Sequence, residues 1–150
     1  MKAATVSELK DKLSQLSSDE LLEFCSRLAR FKKENKELLT YLLFEAHDEE
    51  AYIENVKAEM DIQFGEIPKG HSLYLVKKSL RKILRITNKF IRYTNSKEAE
   101  LQLLMHYCSM IKQAGIPLNE SAKLTNLYQT QLKKINKIIR KKAPKIVGSG

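Results

Sequence analysis

Between residues 72 and 94, SLYLVKKSLRKILRITNKFIRYT, seven cationic side chains recur at helical spacing without a single Asp or Glu among them. With Leu80 as zero and 100° per residue, Leu73, Val76, Leu84, Thr87 and Ile91 fall within about 40° of it, and Ile83 and Phe90 widen that stripe. Lys77, Lys78, Arg81, Lys82, Arg85, Lys89 and Arg92 lie outside it. Exposed helix faces ordinarily mix signs, because opposite charges three or four residues apart support the helix and like charges weaken it. A stripe of one sign therefore points to an anion from outside the helix. Ammonium groups neutralise phosphates or carboxylates as point charges, and the guanidinium groups of Arg81, Arg85 and Arg92 can fork to two oxygens at once. A second cationic set, Lys133, Lys137 and Arg140, points away from the apolar stripe of the last helical segment, flanked by Lys134 and Lys141.

Lys78, Arg81, Lys82, Arg85, Lys89, Arg92, Lys133, Lys137 and Arg140 are accordingly the candidate anion- or partner-binding residues. Three kinds of partner fit them: an acidic protein surface, the chain's own acidic half or that of a second copy, and a nucleic acid. Tyr93, near the end of the first stripe, offers a stacking surface for the last of these. No zinc-finger, leucine-zipper or glycine-turn helix-turn-helix spacing is present, so contact with a nucleic acid is expected through its backbone, without sequence reading.

The residues that could support catalysis lack partners at the spacings the chemistry needs. His47 and Glu50 stand three apart in FEAHDEEAY, the spacing used by inward-facing metal sites of helical bundles, but no second carboxylate–histidine pair exists. Glu45, Glu49 and Glu50 resemble half of a magnesium-holding carboxylate cluster, and Glu98 and Glu100 lack the spacing for the other half. His106 sits in LLMHYC with no basic residue four to six positions before it, and reads as a hydrogen-bonded core or boundary histidine. His71 is a loop residue beside Gly70. GEIPKGHS has two glycines and a lysine but follows a helix, without the order or the strand of a phosphate loop. Cys25 and Cys108 are isolated in apolar helical stretches, which reads as two reduced core thiols and as neither a disulfide nor a metal framework. No catalytic residue, cofactor, metal or small-molecule substrate is identified, and the expected class is a non-enzymatic interaction module facing an acidic protein surface or its own acidic half. A sequence-nonspecific nucleic-acid binder is the alternative, and a helical metal- or nucleotide-dependent hydrolase a remote one.

Net charge sharpens this reading. The chain carries +9 overall, but residues 1–70 hold 10 Lys/Arg against 15 Asp/Glu, and residues 71–150 hold 17 against 3, so −5 precedes +14. The N-terminal MKAATVSELKDKL has no apolar core of signal-peptide length, and no stretch approaches ~18 consecutive apolar residues. A soluble, cytoplasmic protein with no membrane partner is expected.

The elements that must position these residues are helical. Five Gly and three Pro in 150 residues, with abundant Leu, Lys, Glu and Ile, favour long helices over a sheet. Thr5 with Glu8 and Ser17 with Glu20 are two capping boxes, opening a helix to about Leu16 and another to about Lys33. The second should bury Leu21, Leu22, Phe24, Cys25, Leu28 and Phe31. From Asn35 to Gln63, Leu39, Leu42, Ala46, Ile53, Val56 and Met60 hold one seven-residue phase, as a single helix or as two that break near His47–Asp48, with the break favoured and Asp48 as cap. After Gly65 and Pro68 comes the cationic helix, from Ser72 to Asn95. Residues 97–114 follow, with Leu101, Leu103, Leu104, Met105, Tyr107, Cys108 and Ile111 making this the most buried helix. A last helix, capped by Asn119, runs to about Lys142 with Leu124, Leu127, Tyr128, Leu132, Ile135, Ile138 and Ile139 inward. One all-α domain over 1–143 is expected, an antiparallel bundle of about six helices with stacked hairpins as a variant, followed by a disordered tail at 144–150.

The opening ELKDKLSQLSSDELLEFCSRLARF resembles the first hairpin, of form L-K-x-x-L-x-x-L-S-x-x-E-L, of a family of uncharacterised bacterial all-helical proteins. Leu9, Lys10, Leu13, Leu16, Ser17, Glu20 and Leu21 carry the likeness, over about the first thirty residues. It implies a helical hairpin and a bacterial origin, and no activity.

Overall fold

The computed structural model describes residues 1–70 and 72–147, with side chains described as far as Lys142; His71 lies outside these. Among the described residues the fold is all-α, with seven α-helices and no strand. They fall into two compact units, Met1–Phe44 and Glu45–Gly150. The division lies well before the charge boundary at Gly70, where one domain over 1–143 was expected. The cause is visible in burial: α1 to α3 bury no side chain of their own, whereas every helix of the second unit contributes to a shared core.

In the first unit both capping boxes form. Thr5 and Ser17 accept from the backbone N–H of Glu8 and Glu20, whose carboxylates reach back to the cap N–H, opening α1 (Val6–Leu13) and α2 (Ser18–Phe31). α2 stops at Lys32, which takes an extended conformation, and Asn35 donates from Nδ2 to the orphaned Leu28 carbonyl at 2.8 Å. α3 (Lys33–Thr40) follows and runs into a π-helical turn, Tyr41–Glu45. The long 35–63 segment therefore breaks in two, and Asp48 caps the second piece by accepting from Ala51 N–H. The sequence reading fails on α2: Leu22, Phe24, Cys25, Leu28 and Phe31 are all exposed, and Leu42 and Ala46 with them. Their apolar pattern is real, but a 44-residue unit of three short helices has no opposing layer of its own to cover it.

The second unit runs up, down, up, down. α4 (Glu49–Gly65), α5 (Leu73–Thr94) and α6 (Lys97–Gln113) pack mutually, and α7 (Ala122–Val147) packs along α6. Cross-helix contacts fix the directions. Tyr52 donates to the Phe90 carbonyl and Tyr107 to the Leu80 carbonyl, making α5 antiparallel to both neighbours. Lys57–Gln102 and Asp61–His106 keep α4 and α6 parallel, and Lys112 over the Tyr128 ring with Glu98–Lys142 makes α7 antiparallel to α6. α5 and α7 therefore run the same way, both antiparallel to α6.

α6 is the most buried helix. Ala99, Leu103, Leu104, Tyr107, Cys108 and Ile111 are buried, Leu101 is half-buried, and Met105 is exposed instead of packed. The turns around it use left-handed backbone where a side chain permits: Asn95 at φ 50° ends α5, and Gly115 at φ 66° ends α6, where Ile116 N–H reaches the Ile111 carbonyl. Ser121, not Asn119, caps α7, accepting from Leu124 N–H; Asn119 lies in a 3-10 turn, Leu118–Glu120. The buried seam of α7 is Leu124, Tyr128, Gln131, Ile135 and Ile138, an alternation of four and three, with Gln131 taken in and Ile139 left out. α7 extends through Pro144 to Val147, so of the tail expected at 144–150 only 148–150 lies outside the described residues.

Burial separates the two cysteines: Cys25 is an exposed thiol and Cys108 a buried one, its pKa pushed up to about 11 by desolvation. Thiol titration of the native protein at pH 8 should consume one equivalent at Cys25 and the second only in denaturant. Burial raises the Tyr107 phenol as well. Both groups keep in the folded state a proton that the unfolded chain releases earlier, so stability present below the unfolded thiol value of 9.0 should decline as pH rises toward 11. Urea melts across that range would show it. By the same melts Leu80→Ala should cost about 2–5 kcal/mol and Tyr107→Phe about 1 kcal/mol.

Candidate anion-binding face

The cationic stripe of α5 begins where its core stripe ends. Val76, Leu80, Ile83, Thr87 and Ile91 are buried against α4 and α6, and Lys78, Arg81, Lys82, Arg85 and Arg92 are exposed. Lys77, at the edge of the core stripe, is half-buried. Tyr52 of α4 donates to the Phe90 carbonyl, which places α4 on one flank of α5. The other flank turns toward α7. There Tyr74, Lys77, Lys78, Ser79, Arg81, Lys82 and Arg85 line an open groove of about 480 Å3, and Lys123 from the start of α7 completes it.

Lys123 shows how α7 joins this face. On a helical wheel Lys134, Lys137 and Lys141 fall within about 40° of Lys123, so the same flank of α7 carries a cation at each of these levels. At about 1.5 Å per residue the strip from Lys123 to Lys141 is roughly 27 Å long, and that from Lys77 to Arg92 on α5 roughly 22 Å. Lys134, Lys137 and Lys141 line a second groove, of about 650 Å3, with Lys97, Glu100, Ile138 and Lys142. Lys133, Lys137, Arg140 and Lys141 border a third, of about 460 Å3, with Asn136.

The structure thus gathers Lys78, Arg81, Lys82 and Arg85 into one groove and Lys133, Lys137 and Arg140 around another. Arg92 is exposed beyond the first groove. Lys89 is half-buried, with its ammonium 5.5 Å from the Phe90 ring centroid, and is engaged in the protein's own packing. Tyr93 also turns away from the expected stacking role: it is half-buried and packs edge-on against Phe90, ring centroids 6.2 Å apart. Tyr74 takes that place. It is 68% exposed inside the cationic groove, one turn before Lys78. Its i,i+4 spacing to Lys78 was the signal that sequence reading passed over.

Internal neutralisation is local and falls elsewhere. Glu98 pairs with Lys142 and accepts from Gln102, and these contacts, Lys142 first, hold its carboxyl below the usual range. Glu100 pairs with Lys97, Glu54 with Lys57, and Asp61 with His106. Among the described residues no ion pair reaches Lys78, Arg81, Lys82, Arg85, Arg92, Lys133, Lys137 or Arg140. The unit as a whole holds 19 Lys/Arg against 11 Asp/Glu, net +8.

His106 has a partner that its own helix did not reveal. Its Nε2 lies 2.6 Å from Asp61 Oδ1 on α4, with the histidine side chain mostly covered and the aspartate half exposed. An aspartate can orient an imidazole for proton transfer, but among the described residues no hydroxyl or thiol is hydrogen-bonded to the other ring nitrogen. The pair ties α4 to α6. His47 and Glu50 are exposed, and among the described residues no cluster of three or more His, Cys, Asp or Glu side chains has metal-holding geometry. No described helix is long and apolar enough to cross a membrane.

The tie between α4 and α6 should be worth roughly 0.5–1 kcal/mol in a double-mutant cycle of Asp61→Asn and His106→Gln, read by urea unfolding at pH 6. Additive single-site effects would remove the pair from the account of the fold. Compared with known proteins, the chain matches no family model, no curated protein and no solved structure.

Proposed function

We propose that this chain is a non-enzymatic interaction module whose basic face, carried by α5 and α7, binds the backbone of a nucleic acid without reading its sequence. One observation carries the reading. Six cations, Lys77, Lys78, Arg81, Lys82, Arg85 and Lys123, share a groove with an exposed tyrosine, and none of the six has an anionic partner among the described residues.

The physical support is a cost that only a ligand removes. Like charges at i,i+3 and i,i+4 spacing destabilise their own helix by a few tenths of a kcal/mol each, and here they recur over more than four turns. A polyanion crossing the groove relieves that repulsion and releases its own condensed counterions, which makes the affinity steeply dependent on salt. Tyr74 supplies a flat ring beside the cations, the combination that single-stranded nucleic acids use when bases stack and phosphates pair. Contacts through phosphates carry no sequence information, which is what point charges along a helix face supply.

An acidic protein surface is the second reading, favoured by the same cations but not by Tyr74. The two differ in measurable ways. Fluorescent single-stranded RNA and DNA of mixed sequence should bind at low salt with little sequence preference, losing about a thousandfold in affinity between 50 and 200 mM salt. Arg81→Glu with Arg85→Glu should abolish retention while helical content is unchanged. Tyr74→Ala should weaken single-stranded binding about tenfold and leave the salt slope unaltered. Absence of binding at 50 mM salt would sink the nucleic-acid reading and leave the acidic protein surface.

A further inference from the structure

The first unit poses a separate problem, independent of the basic face. Capping boxes open α1 and α2, yet none of its three helices buries a side chain, and eleven large apolar residues between Val6 and Phe44 are exposed. Six of the unit's apolar side chains, Leu9, Leu13, Leu16, Phe24, Leu28 and Phe31, line a groove of about 890 Å3 between α1 and α2. Phe31, at its edge, is 82% exposed. We infer that this groove is a self-association surface, closed in solution by the α1–α2 hairpin of a second copy of the chain.

The argument for a second copy is by elimination and then by charge. A unit of about 40 residues ordinarily needs a disulfide, a metal or association to hold its fold. Both cysteines are free, and among the described residues no side-chain cluster suits a metal, which leaves association. The requirement is permanent, since it concerns the hairpin's stability and not a signal, so the partner must be present whenever the chain is. A second copy meets that condition by its nature.

The rim of the groove suits an isologous contact. In a two-fold pair each residue meets its counterpart's neighbour, so a self-complementary rim must carry both signs. Lys12 and Arg27 border the groove together with Glu20, and the unit is nearly neutral, with eight Lys/Arg against seven Asp/Glu. The basic strips of the second unit have no such balance and repel their own kind.

Cys25 makes the test direct, because it is exposed on α2 while Cys108 is buried. The full chain, spin-labelled at Cys25 alone, should run at twice the monomer mass in light scattering and show one intermolecular dipolar distance. Leu28→Glu with Phe31→Glu, and independently Leu9→Glu, should each weaken the dimer at least tenfold and remove that distance. Continued protection of Cys108 from thiol reagents would show that the second unit remains folded in these variants. A wild-type chain that stays monomeric from micromolar to several hundred micromolar concentration would overturn the proposal. So would a dimer whose dipolar distance is unchanged in all the variants, since its interface would lie elsewhere.

Discussion

The second unit depends on α6 having neighbours on nearly every side. Tyr107 is fully buried, and its hydroxyl donates to the Leu80 carbonyl at 2.8 Å; Ala99 and Leu103 are fully buried with it, and Leu104 and Ile111 nearly so. A helix so enclosed cannot carry solvated charge over most of its surface, so its two acids sit in the first turn, where the helix dipole favours them and where Lys97 and Lys142 reach them. The charged surface of the unit then lies mostly on the outer faces of α4, α5 and α7. The sign of each face then becomes a free choice of sequence, and this chain has chosen acids on α4 and cations on α5 and α7. The polarity of the unit follows from a packing constraint, with the charge pattern written on what packing leaves over.

Segregating the signs has an energetic consequence. Glu54 and Asp61 of α4 find partners in Lys57 and His106, and Glu98 and Glu100 of α6 in Lys142 and Lys97, whereas α5 carries no acid of its own. At physiological salt the screening length is about 8 Å, so cations one turn apart, roughly 5–6 Å, still repel. Burial of Val76, Leu80, Ile83, Thr87 and Ile91 outweighs that repulsion and holds α5 helical regardless. Hydrophobic packing thus maintains a charge arrangement that the isolated helix would resist, which is the condition for a preorganised anion site: its cations need not be assembled when the ligand arrives.

Much of this was legible from residue spacing, and the failures are instructive. The caps at Thr5, Ser17 and Asp48 depend on three-residue relations, which the chain displays directly. So did the core stripe of α5. Gln131 could not be read as buried, nor Ile139 as exposed, because the seam of α7 is set by where α6 lies and not by which residues are apolar. Asp61 and His106 stand 45 positions apart, and Lys123 joins the groove of Tyr74 and Lys78 from a helix that the spacing of α5 does not reveal. Long-range pairing is the part that spacing does not encode.

The misreading of α2 is of another kind. Its apolar periodicity predicted burial, and periodicity states only that a face needs covering, not that the same unit will cover it. Leu22, Phe24, Leu28 and Phe31 satisfy the pattern of a core helix as fully as Ile53, Val56 and Met60 do, yet only the latter are buried. What separates them is packing: α4 lies against both α5 and α6, whereas α2 packs along the eight-residue α3. A short amphipathic hairpin therefore holds its stability in reserve until a second apolar surface is supplied. The division of the chain follows from that difference: Glu45–Gly150 buries a core of its own and leaves charge on its surface, whereas α1 to α3 leave their apolar face exposed.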